Sequence, residues 1–324
     1  MTSPKNITLP RDSEFFIAII SQGLHCSIVL GANTKEGATV FLRSGKGVDA
    51  VAQTFSGKLC ELWHFLTSSV KTKMLHESYF NEEHERDIRY SAHAITYTQL
   101  EKTLQYISNI GASQNEPDKF QCYQIENEQD GNVVLKYGPV ANPDSRLLDE
   151  DPTAKNTLFF NYKNTCRHTA IDLLDKTHHT VADQAHLSKQ FYSALPLATS
   201  FRYGKPDPTR PFLILPAPPN AYDASRTKIL SPLYKQLNSL LKDASKQEKT
   251  KVKFDKLKEL YIECAQRPKE IPIIGLLAFI DKWREDNNQY MGLTRKRYFF
   301  DRLISRQSRT QKILSSLPQK LDKT

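Results

Sequence analysis

The sequence lacks the features that define membrane-spanning and exported chains. It contains no stretch of 18 or more apolar residues among its 324 residues, whereas a membrane-spanning helix needs about 20. The longest early apolar run, residues 15–20, follows the acidic Glu14 and has no small-residue cleavage site behind it, which is not typical of a secretory signal. We therefore expect a soluble chain without a signal peptide or a transmembrane segment.

Closely spaced cysteines are also absent. The five cysteines of the chain are Cys26, Cys60, Cys122, Cys166 and Cys264. An odd number without any Cys-x-x-Cys spacing argues against a disulfide framework and a cysteine-rich zinc site, and it favours a reducing compartment. His178, His179 and His186 are not accompanied by a cysteine or carboxylate ligand set of recognised spacing. We therefore predict neither a bound metal nor a cofactor.

Net positive charge is missing from the first two thirds of the chain and concentrated in the last third. Residues 223–324 contain 23 lysine and arginine residues against 12 acidic ones, a net charge of +11, whereas residues 1–222 carry −2. Apolar residues recur at helical spacing in the basic part, and a proline-rich segment, 216–219, precedes it. One predicted apolar stripe contains Leu233, Leu237, Leu240 and Leu241, and another contains Phe254, Leu257, Tyr261 and Cys264. We therefore predict two domains, a near-neutral catalytic body at 1–222 and a basic, all-helical module at 223–324.

The basic module contains a set of candidate surface-binding residues. These residues are Arg295, Lys296, Arg297, Arg302, Arg306 and Arg309. A solvated face of lysine and arginine is the commoner explanation of such a set, but an acidic protein or an anionic membrane surface would also suit it. The basic residues are not interleaved with a base-stacking motif, which argues against nucleic acid as the primary ligand.

Short segments rich in Phe, Ile and Val alternate with turn signals along the first half of the chain. The predicted strands are 15–21, 24–30, 38–43, 120–125 and 132–137. The first three strands could form a meander, and the last two flank the hairpin signal Asp130-Gly131. Helical spacing predicts a helix over 97–110 that ends at Gly111, a natural C-cap residue, and another helix over 180–195.

Cys166 stands at the start of a further predicted helix. Asn164 or Thr165 can act as its N-cap, and apolar residues follow the cysteine at four, seven and eight positions. Unsatisfied N–H groups and the helix dipole favour a thiolate in the first turn, so we expect a lowered pKa for this thiol. A buried structural thiol is the alternative, and it is the commoner case on residue type alone. The polar neighbours and a suitable histidine favour a nucleophile.

His25, in an apolar predicted strand, is the candidate base for Cys166. Imidazole has an unperturbed pKa of about 6.5, which suits proton transfer near neutrality. The alternative is a hydrogen-bonded histidine at the edge of a strand. His168 lies two positions after the cysteine on the same helix and is expected to point away from it. Cys26 follows His25 directly, so strand alternation turns its side chain to the opposite face, and we predict a core residue.

These two sites carry a resemblance to a known group of enzymes. A His-x-x-Ile-x-Leu-Gly pattern beginning at His25, followed far downstream by Asn-x-Cys at 164–166, resembles the circularly permuted papain-like hydrolases, which include the permuted NlpC/P60 and lecithin:retinol acyltransferase-like families. The resemblance implies an α+β fold in which an antiparallel sheet packs on the nucleophile helix, with His25 as the base and Cys166 as the nucleophile. The chain departs from the pattern in having Asn-Thr before the cysteine and no second histidine on the strand after His25.

Four residues are candidates for the remaining catalytic roles. Glu36 and Ser44 stand beside or on the strand predicted to follow His25, where a residue that orients the base is expected. Glu36 would best stabilise an imidazolium, but it lies where a turn is expected. Asn164 and Asn161 are candidate side-chain donors to an oxyanion, beside the backbone N–H groups at the start of the helix.

A second likeness concerns segments 164–174 and 212–222, which look like a group of effectors that intracellular bacteria inject into host cells. It implies a protein that passes from a bacterial cytoplasm to a host cytoplasm, with a host protein as its substrate. The predicted function is a cysteine-dependent acyl-transfer enzyme, a protease, deamidase or amidase that uses Cys166 and His25. The alternative is a non-catalytic effector that binds a host protein or a membrane surface through the basic module.

Overall fold

The chain divides into two compact units, residues 1–214 and residues 215–324. The sequence places its domain boundary a short distance later, after residue 222. The structure is a computed structural model, and it describes residues 6–22, 25–34, 37–47, 69–76, 88–116, 120–144, 146–178, 187–190, 194–199, 206–207, 212–244, 247–268, 271–293 and 308–321. In these ranges no helix is both long enough and apolar enough to cross a membrane.

Strands predominate in the first part of the chain, where seven described strands precede the first described helix, and helices predominate in the last part. The strands are β1 (Ile7–Pro10), β2 (Glu14–Gln22), β3 (His25–Thr34), β4 (Gly37–Gly47), β5 (Val70–Lys71), β6 (Lys73–His76), β7 (Ile88–Ala94), β8 (Gln121–Gln129), β9 (Asn132–Pro139), β10 (Phe159–Phe160), β11 (Leu197–Thr199), β12 (Pro206–Asp207) and β13 (Ile214–Leu215). The helices are α1 (Tyr97–Gln114), α2 (Leu147–Glu150), α3 (Pro152–Lys155), α4 (Cys166–His178), α5 (Ala224–Ala244), α6 (Glu248–Gln266), α7 (Ile273–Asp286), α8 (Asn288–Met291) and α9 (Arg309–Leu321).

Strands β2, β3 and β4 form an antiparallel meander, which confirms the prediction from the sequence. They are central in a larger sheet of order β11-β7-β2-β3-β4-β12, to which β13 and β6 are added through β7 and β4. Almost every residue of the three central strands is buried, because alternate side chains face opposite sides of the sheet and both sides are covered. The fold class is α+β, as predicted.

Helices α1 and α4 pack on one face of the central sheet. Helix α4 contacts β2, β3 and β4, and its Leu173 and Leu174 belong to the same apolar cluster as Ile19, Ile28 and Leu30 of the sheet. Apolar burial of this kind stabilises the folded chain by roughly 2 kcal/mol for each large side chain. The helix is thereby held with its first turn against β3.

Strands β8 and β9 form a hairpin in a separate three-stranded sheet of order β1-β9-β8. Asp130 and Gly131 occupy its turn with φ angles of 51° and 75°. Positive φ at both central residues is typical of the tight turn whose twist matches the flanking strands. The hairpin predicted from Asp-Gly is confirmed.

Helix α1 extends beyond its predicted end. The sequence places the end at Gly111, but the helix continues to Gln114, and its C-cap is Asn115. Gly111 is buried against the ring of Phe120, and a Cβ at this position would lie 2.1 Å from two of the ring carbons. The glycine is therefore required by close packing rather than by the end of the helix.

The helix predicted over 180–195 is wrong in the part that the structure describes, because residues 187–190 and 194–195 are not helical. The other residues of this range lie outside the described part of the chain. Leu187 and Leu195 pack on the apolar cluster of the first unit. Irregular backbone that covers a core can repeat leucines at intervals that mimic a helix face.

The second unit contains helices α5 to α9, and α5 contacts α6. The apolar stripe predicted on α5 is buried at Leu233 and Leu237, and the stripe on α6 is buried at Phe254 and Leu257. These residues lie three or four positions apart, which puts each pair on one face of its helix. The two predicted stripes are therefore confirmed.

Candidate functional site

Cys166 is the first residue of α4. The hydroxyl of Thr165 accepts the backbone N–H of His168 at 3.5 Å, and Nδ1 of His168 accepts the Thr165 backbone N–H at 3.3 Å. This reciprocal arrangement is a capping box in which histidine takes the place of Glu or Gln. The sequence allows either Asn164 or Thr165 as the N-cap residue, and in the structure the N-cap is Thr165. Burial lowers the pKa of His168, which keeps Nδ1 free to accept.

The sulfur of Cys166 lies against Cys26 of β3. The backbone N–H of Cys26 donates to Cys166 Sγ at 3.4 Å, and the two thiols shift each other's pKa values. Both residues are nearly inaccessible, with exposed fractions of 1% for Cys26 and 4% for Cys166. Cys26 is thus a core residue, as predicted, but it lies on the helix-facing side of β3, where the sequence analysis had not placed a partner for Cys166.

A buried arginine completes this cluster. Arg167 is 1% exposed, and its Nη1 donates to Cys26 Sγ at 3.9 Å while Nε donates to the Ser188 carbonyl at 2.5 Å. These contacts are with a sulfur and a carbonyl rather than with a carboxylate of the described residues. A buried guanidinium is costly unless a negative group compensates for its charge. The Cys26 sulfur is the group in contact that can become negative.

The two thiols share one proton and have opposite pKa shifts. The hydrogen bond from Cys166, helped by the charge of Arg167, lowers the pKa of Cys26 to about 6 although burial opposes it. The same hydrogen bond and burial raise the pKa of Cys166, against the effect of the N–H groups of Cys26 and Arg167. The prediction of a lowered pKa for Cys166 is therefore wrong in this state, because the interaction with a second thiol, that of Cys26, raises the pKa. The directions of the two shifts favour the proton on Cys166 and the negative charge on Cys26.

Lys46 of β4 is a second buried cation near the start of α4. It is 3% exposed, and its Nζ donates to Asn164 Oδ1 at 2.8 Å and to Thr169 Oγ1 at 3.1 Å. It also donates to the carbonyls of Asn156 at 2.7 Å and Asn164 at 3.2 Å. Burial lowers the pKa of Lys46 to about 7, and the negative charge of Asp172 opposes that shift. This lysine ties β4 to the turn before the cysteine helix.

Asn164 and Asn161, the predicted oxyanion donors, are both hydrogen-bonded in this structure. The Nδ2 group of Asn164 donates to the carbonyls of Asn156 at 2.8 Å and Phe159 at 3.0 Å. Asn161 Nδ2 donates to the Ser69 hydroxyl at 2.9 Å. In this state both N–H groups of the Asn164 amide are therefore engaged, and the two oxyanion assignments stay predictions.

His25, the predicted base, is the first residue of β3 and is partly buried. It shares a strand face with Ser27 and Val29, since side chains alternate, whereas Cys26 shares the face that contacts α4. Pairing of His25 with Cys166 stays a prediction. Of the two candidates for orienting the base, Ser44 is buried and its hydroxyl donates to the Leu75 carbonyl at 3.1 Å. Glu36 lies outside the described residues.

Of the six predicted surface-binding residues, the structure describes Arg309 alone. Arg309 is exposed and is the first residue of α9. The other five, Arg295, Lys296, Arg297, Arg302 and Arg306, lie outside the described residues. Within the described ranges no group of three or more His, Cys, Asp or Glu side chains is arranged to hold a metal ion.

Sequence reasoning missed Lys46 and the role of Arg167. The strand prediction stopped at residue 43, but β4 continues to Gly47 and takes Lys46 into the core. A lysine directly after an apolar strand is an available signal, although a solvated side chain is the usual outcome. Arg167 was noted as a polar neighbour of Cys166, and nothing in its sequence context indicates full burial.

Comparison of the chain with models of protein families, with curated proteins and with solved structures finds no match in any of the three. The geometry around Cys166 is therefore the ground on which a function is proposed.

Proposed function

We propose that this chain is a cysteine-dependent acyl-transfer enzyme in which Cys166 is the nucleophile. The observation that carries the proposal is the position of Cys166 at the first residue of α4, where its sulfur accepts a hydrogen bond from the backbone N–H of Cys26 and lies close to Arg167. Backbone N–H groups at a helix start favour negative charge on a sulfur and on the oxygen of a bound carbonyl. A papain-like packing of the sheet on this helix is part of the same proposal.

The proton of Cys166 has an acceptor within the site. Cys26 carries the negative charge of the pair, and with a pKa of about 6 it is suited to proton transfer near neutrality. When the Cys166 sulfur attacks a carbonyl carbon, its proton passes to Cys26 and a tetrahedral intermediate forms. Collapse expels the leaving group, which takes the proton from Cys26 and leaves an acyl group on Cys166. Water or an amine then releases the acyl group.

His25, the predicted base, takes no part in this proton transfer between Cys166 and Cys26, and its role is tested with a variant of its own. His25 stands one residue before Cys26 at the start of β3, on the opposite face of the strand. A host protein is the proposed substrate. This choice rests on the likeness of segments 164–174 and 212–222 to injected effectors.

The test is to trap the acyl-enzyme with a small activated ester, p-nitrophenyl acetate. We expect a burst of nitrophenol and an acetyl group that peptide mass mapping places on Cys166. Cys166→Ser should abolish both, whereas Cys122→Ser, a change at another buried thiol, should leave them unchanged. His25→Gln should slow the release of the acetyl group if this histidine assists. Equal bursts in the wild-type chain and in Cys166→Ser would rule out the proposal.

A second function is favoured by the burial of both sulfurs, with 1% and 4% exposed. We propose as the alternative that the chain is a non-catalytic protein whose basic part, net +11 over residues 223–324, binds an acidic protein or an anionic membrane surface. Full-length chain should then bind phosphatidylserine-containing vesicles with an affinity that falls as salt is raised, and Cys166→Ser should bind equally well. Absence of binding at low salt would exclude the membrane form of this function.

A further inference from the structure

We propose that Cys26 and Cys166 form a redox-active dithiol that hydrogen peroxide oxidises to a reversible disulfide. The two residues are 140 positions apart in the sequence, and the packing of α4 on β3 brings the Cys166 sulfur to 3.4 Å from the backbone nitrogen of Cys26. A disulfide requires the sulfurs to approach to about 2 Å with suitable side-chain torsions. A sulfur that already lies against the backbone of the other cysteine can approach that geometry by side-chain rotation.

Arg167 provides the charge that makes one sulfur reactive. Its guanidinium is 1% exposed and lies 3.9 Å from Cys26 Sγ. Peroxide reacts with a thiolate rather than with a thiol. Because a buried cation is stabilised by a negative neighbour, the arrangement favours Cys26 as the sulfur that is attacked first by the oxidant.

Burial of the pair selects the class of oxidant. The exposed fractions of 1% for Cys26 and 4% for Cys166 restrict the direct access of a large oxidant to either sulfur in this state. Hydrogen peroxide is close to water in size and is uncharged, so it can reach a site that a larger oxidant cannot. We therefore assign a small peroxide, not a protein disulfide, as the oxidising substrate.

The reaction balances with one peroxide. The Cys26 thiolate attacks one oxygen of hydrogen peroxide, the O–O bond breaks, and Cys26 sulfenic acid and hydroxide form. The Cys166 sulfur then attacks the Cys26 sulfur, the S–O bond breaks, and the disulfide forms as the proton of Cys166 passes to the departing hydroxide and gives water. The hydroxide from the first step takes up the proton that Cys26 released to solvent when it ionised, so in total two thiols and one peroxide give one disulfide and two waters. A dithiol reductant converts the disulfide back to two thiols.

Two other buried cysteines serve as internal controls. Cys122 accepts or donates a hydrogen bond with the Ser108 hydroxyl at 3.2 Å, and burial raises its pKa to about 11. Burial likewise raises the pKa of Cys264 to about 12. At pH 7 such thiols are almost fully protonated, so they should react with peroxide at least roughly a thousandfold more slowly than Cys26.

The experiment treats the full-length reduced chain with hydrogen peroxide at pH 7, blocks the remaining thiols with N-ethylmaleimide after denaturation, and maps the peptides without reduction. We expect a cross-linked peptide that contains Cys26 and Cys166, which dithiothreitol removes, while Cys122 and Cys264 stay alkylated. A cross-link to Cys60 instead, or oxidation of all cysteines at similar rates, would overturn the proposal.

A variant separates the two steps. In Cys166→Ser the resolving thiol is missing, so dimedone added as the oxidised chain is denatured should trap the sulfenic acid on Cys26, whereas wild-type chain should give the disulfide with little adduct. An absence of dimedone label on Cys26 in this variant, when its unfolding transition matches that of wild-type chain, would refute the order of attack.

The outcome is independent of the acyl-transfer proposal, because the readout is a cross-linked peptide rather than turnover. A disulfide without an acetyl burst would leave the redox site standing and remove the enzyme proposal. A burst without a disulfide would do the opposite. If both are found, oxidation should abolish the burst, since the same sulfur cannot attack a carbonyl while it is in a disulfide.

Discussion

At the scale of single residues, the side chain that sets the state of the thiol pair is Arg167. Its contact with Cys26 Sγ, at 3.9 Å, is made by a fully buried guanidinium. Hydrogen bonding from Cys166 and this charge together account for a Cys26 pKa that is lowered to about 6. A neutral side chain of similar length at position 167 would leave the hydrogen bond and remove the charge.

We therefore expect Arg167→Met to raise the pKa of Cys26 and Arg167→Lys to raise it less, because lysine keeps a positive charge. The measurement is a titration of ultraviolet thiolate absorbance in each variant, with Cys26→Ser subtracted as the background. The absorbance does not require access of a reagent to the buried sulfur. An unchanged midpoint in Arg167→Met would show that the guanidinium does not stabilise the thiolate.

Another residue-scale effect concerns His93 of β7, which is fully buried beside His178. The ring centroids of the two histidines are 6.5 Å apart, and Nε2 of His93 lies 3.3 Å from the Ser91 hydroxyl. Burial, with a smaller effect of His178, lowers the pKa of His93 to about 3. His93 is therefore neutral in the folded chain at pH values where the unfolded chain is already protonated.

The sign of the pH dependence follows from this difference. The unfolded chain binds the proton near pH 6.5 and the folded chain near pH 3, so the contribution of His93 to stability is complete above about 6.5 and is lost as the pH falls toward 3. Between pH 7 and pH 5 we expect a loss of about 2 kcal/mol. This loss of unfolding free energy is measured by urea unfolding at pH 7 and pH 5, in wild-type chain and in His93→Gln. The glutamine variant should lack the pH dependence that His93 contributes. Equal pH dependence in both would contradict the assignment.

At the scale of secondary-structure elements, helix α1 depends on a close contact rather than on helix propensity. A Cβ at Gly111 would lie 2.1 Å from carbons of the Phe120 ring. Alanine favours a helix by about 1 kcal/mol over glycine, but overpacking a core costs about 1–3 kcal/mol. We therefore expect the cost of the steric clash with Phe120 to exceed the gain in helix propensity.

Gly111→Ala should accordingly destabilise the chain, by roughly 1–2 kcal/mol in urea unfolding. Gly138→Ala is the matched control, because a Cβ there has nothing within 4 Å, and it should change stability by less than about 0.5 kcal/mol. A stabilised Gly111→Ala variant would mean that the Phe120 ring moves aside at no cost.

The cysteine helix α4 depends on its cap. Thr165 accepts the His168 backbone N–H and is bonded to the His168 ring. Removing an N-cap hydroxyl typically costs about 1 kcal/mol. Thr165→Ala should lose about that much in urea unfolding, whereas Thr165→Ser, which keeps the oxygen, should stay within a few tenths of a kcal/mol of wild-type chain. Equal effects of the two changes would indicate a loss of methyl packing instead of a loss of the cap.

At the scale of the whole molecule, the described contacts of the thiol pair come from one unit. Cys26, Cys166, Arg167 and Ser188 all belong to residues 1–214. Residues 215–324 contribute the positive charge of the chain and a separate set of helices. The chemistry of the sulfurs should therefore not depend on the second unit.

We expect a fragment of residues 1–222 to give the same thiolate titration as the full chain, with a midpoint below the ordinary cysteine value that Cys26→Ser removes. Circular dichroism of the fragment provides the control for folding. A folded fragment whose midpoint moves toward the ordinary cysteine value would show that the second unit takes part in the site.

Sequence periodicity determined much of the fold in this protein. The meander of β2 to β4, the hairpin at Asp130-Gly131 and the start of a helix at Cys166 follow from local patterns, because alternation, turn conformation and capping each depend on residues close in the chain. The end of α1 could not be predicted, since Gly111 is explained by Phe120, a residue beyond the helix. The bounds of β4 were missed for a similar reason, because Lys46 is held by acceptors in residues 156–169.

By itself, the sequence determined that Cys166 opens a helix and that Cys26 is buried on a strand, since both statements follow from local periodicity. Tertiary structure alone decided that these two sulfurs meet, that Arg167 lies beside them and that the charge of the pair resides on Cys26. The physical reason is that which face of β3 meets α4 depends on apolar packing between segments 140 positions apart, and the alternation within one strand does not specify which face that is.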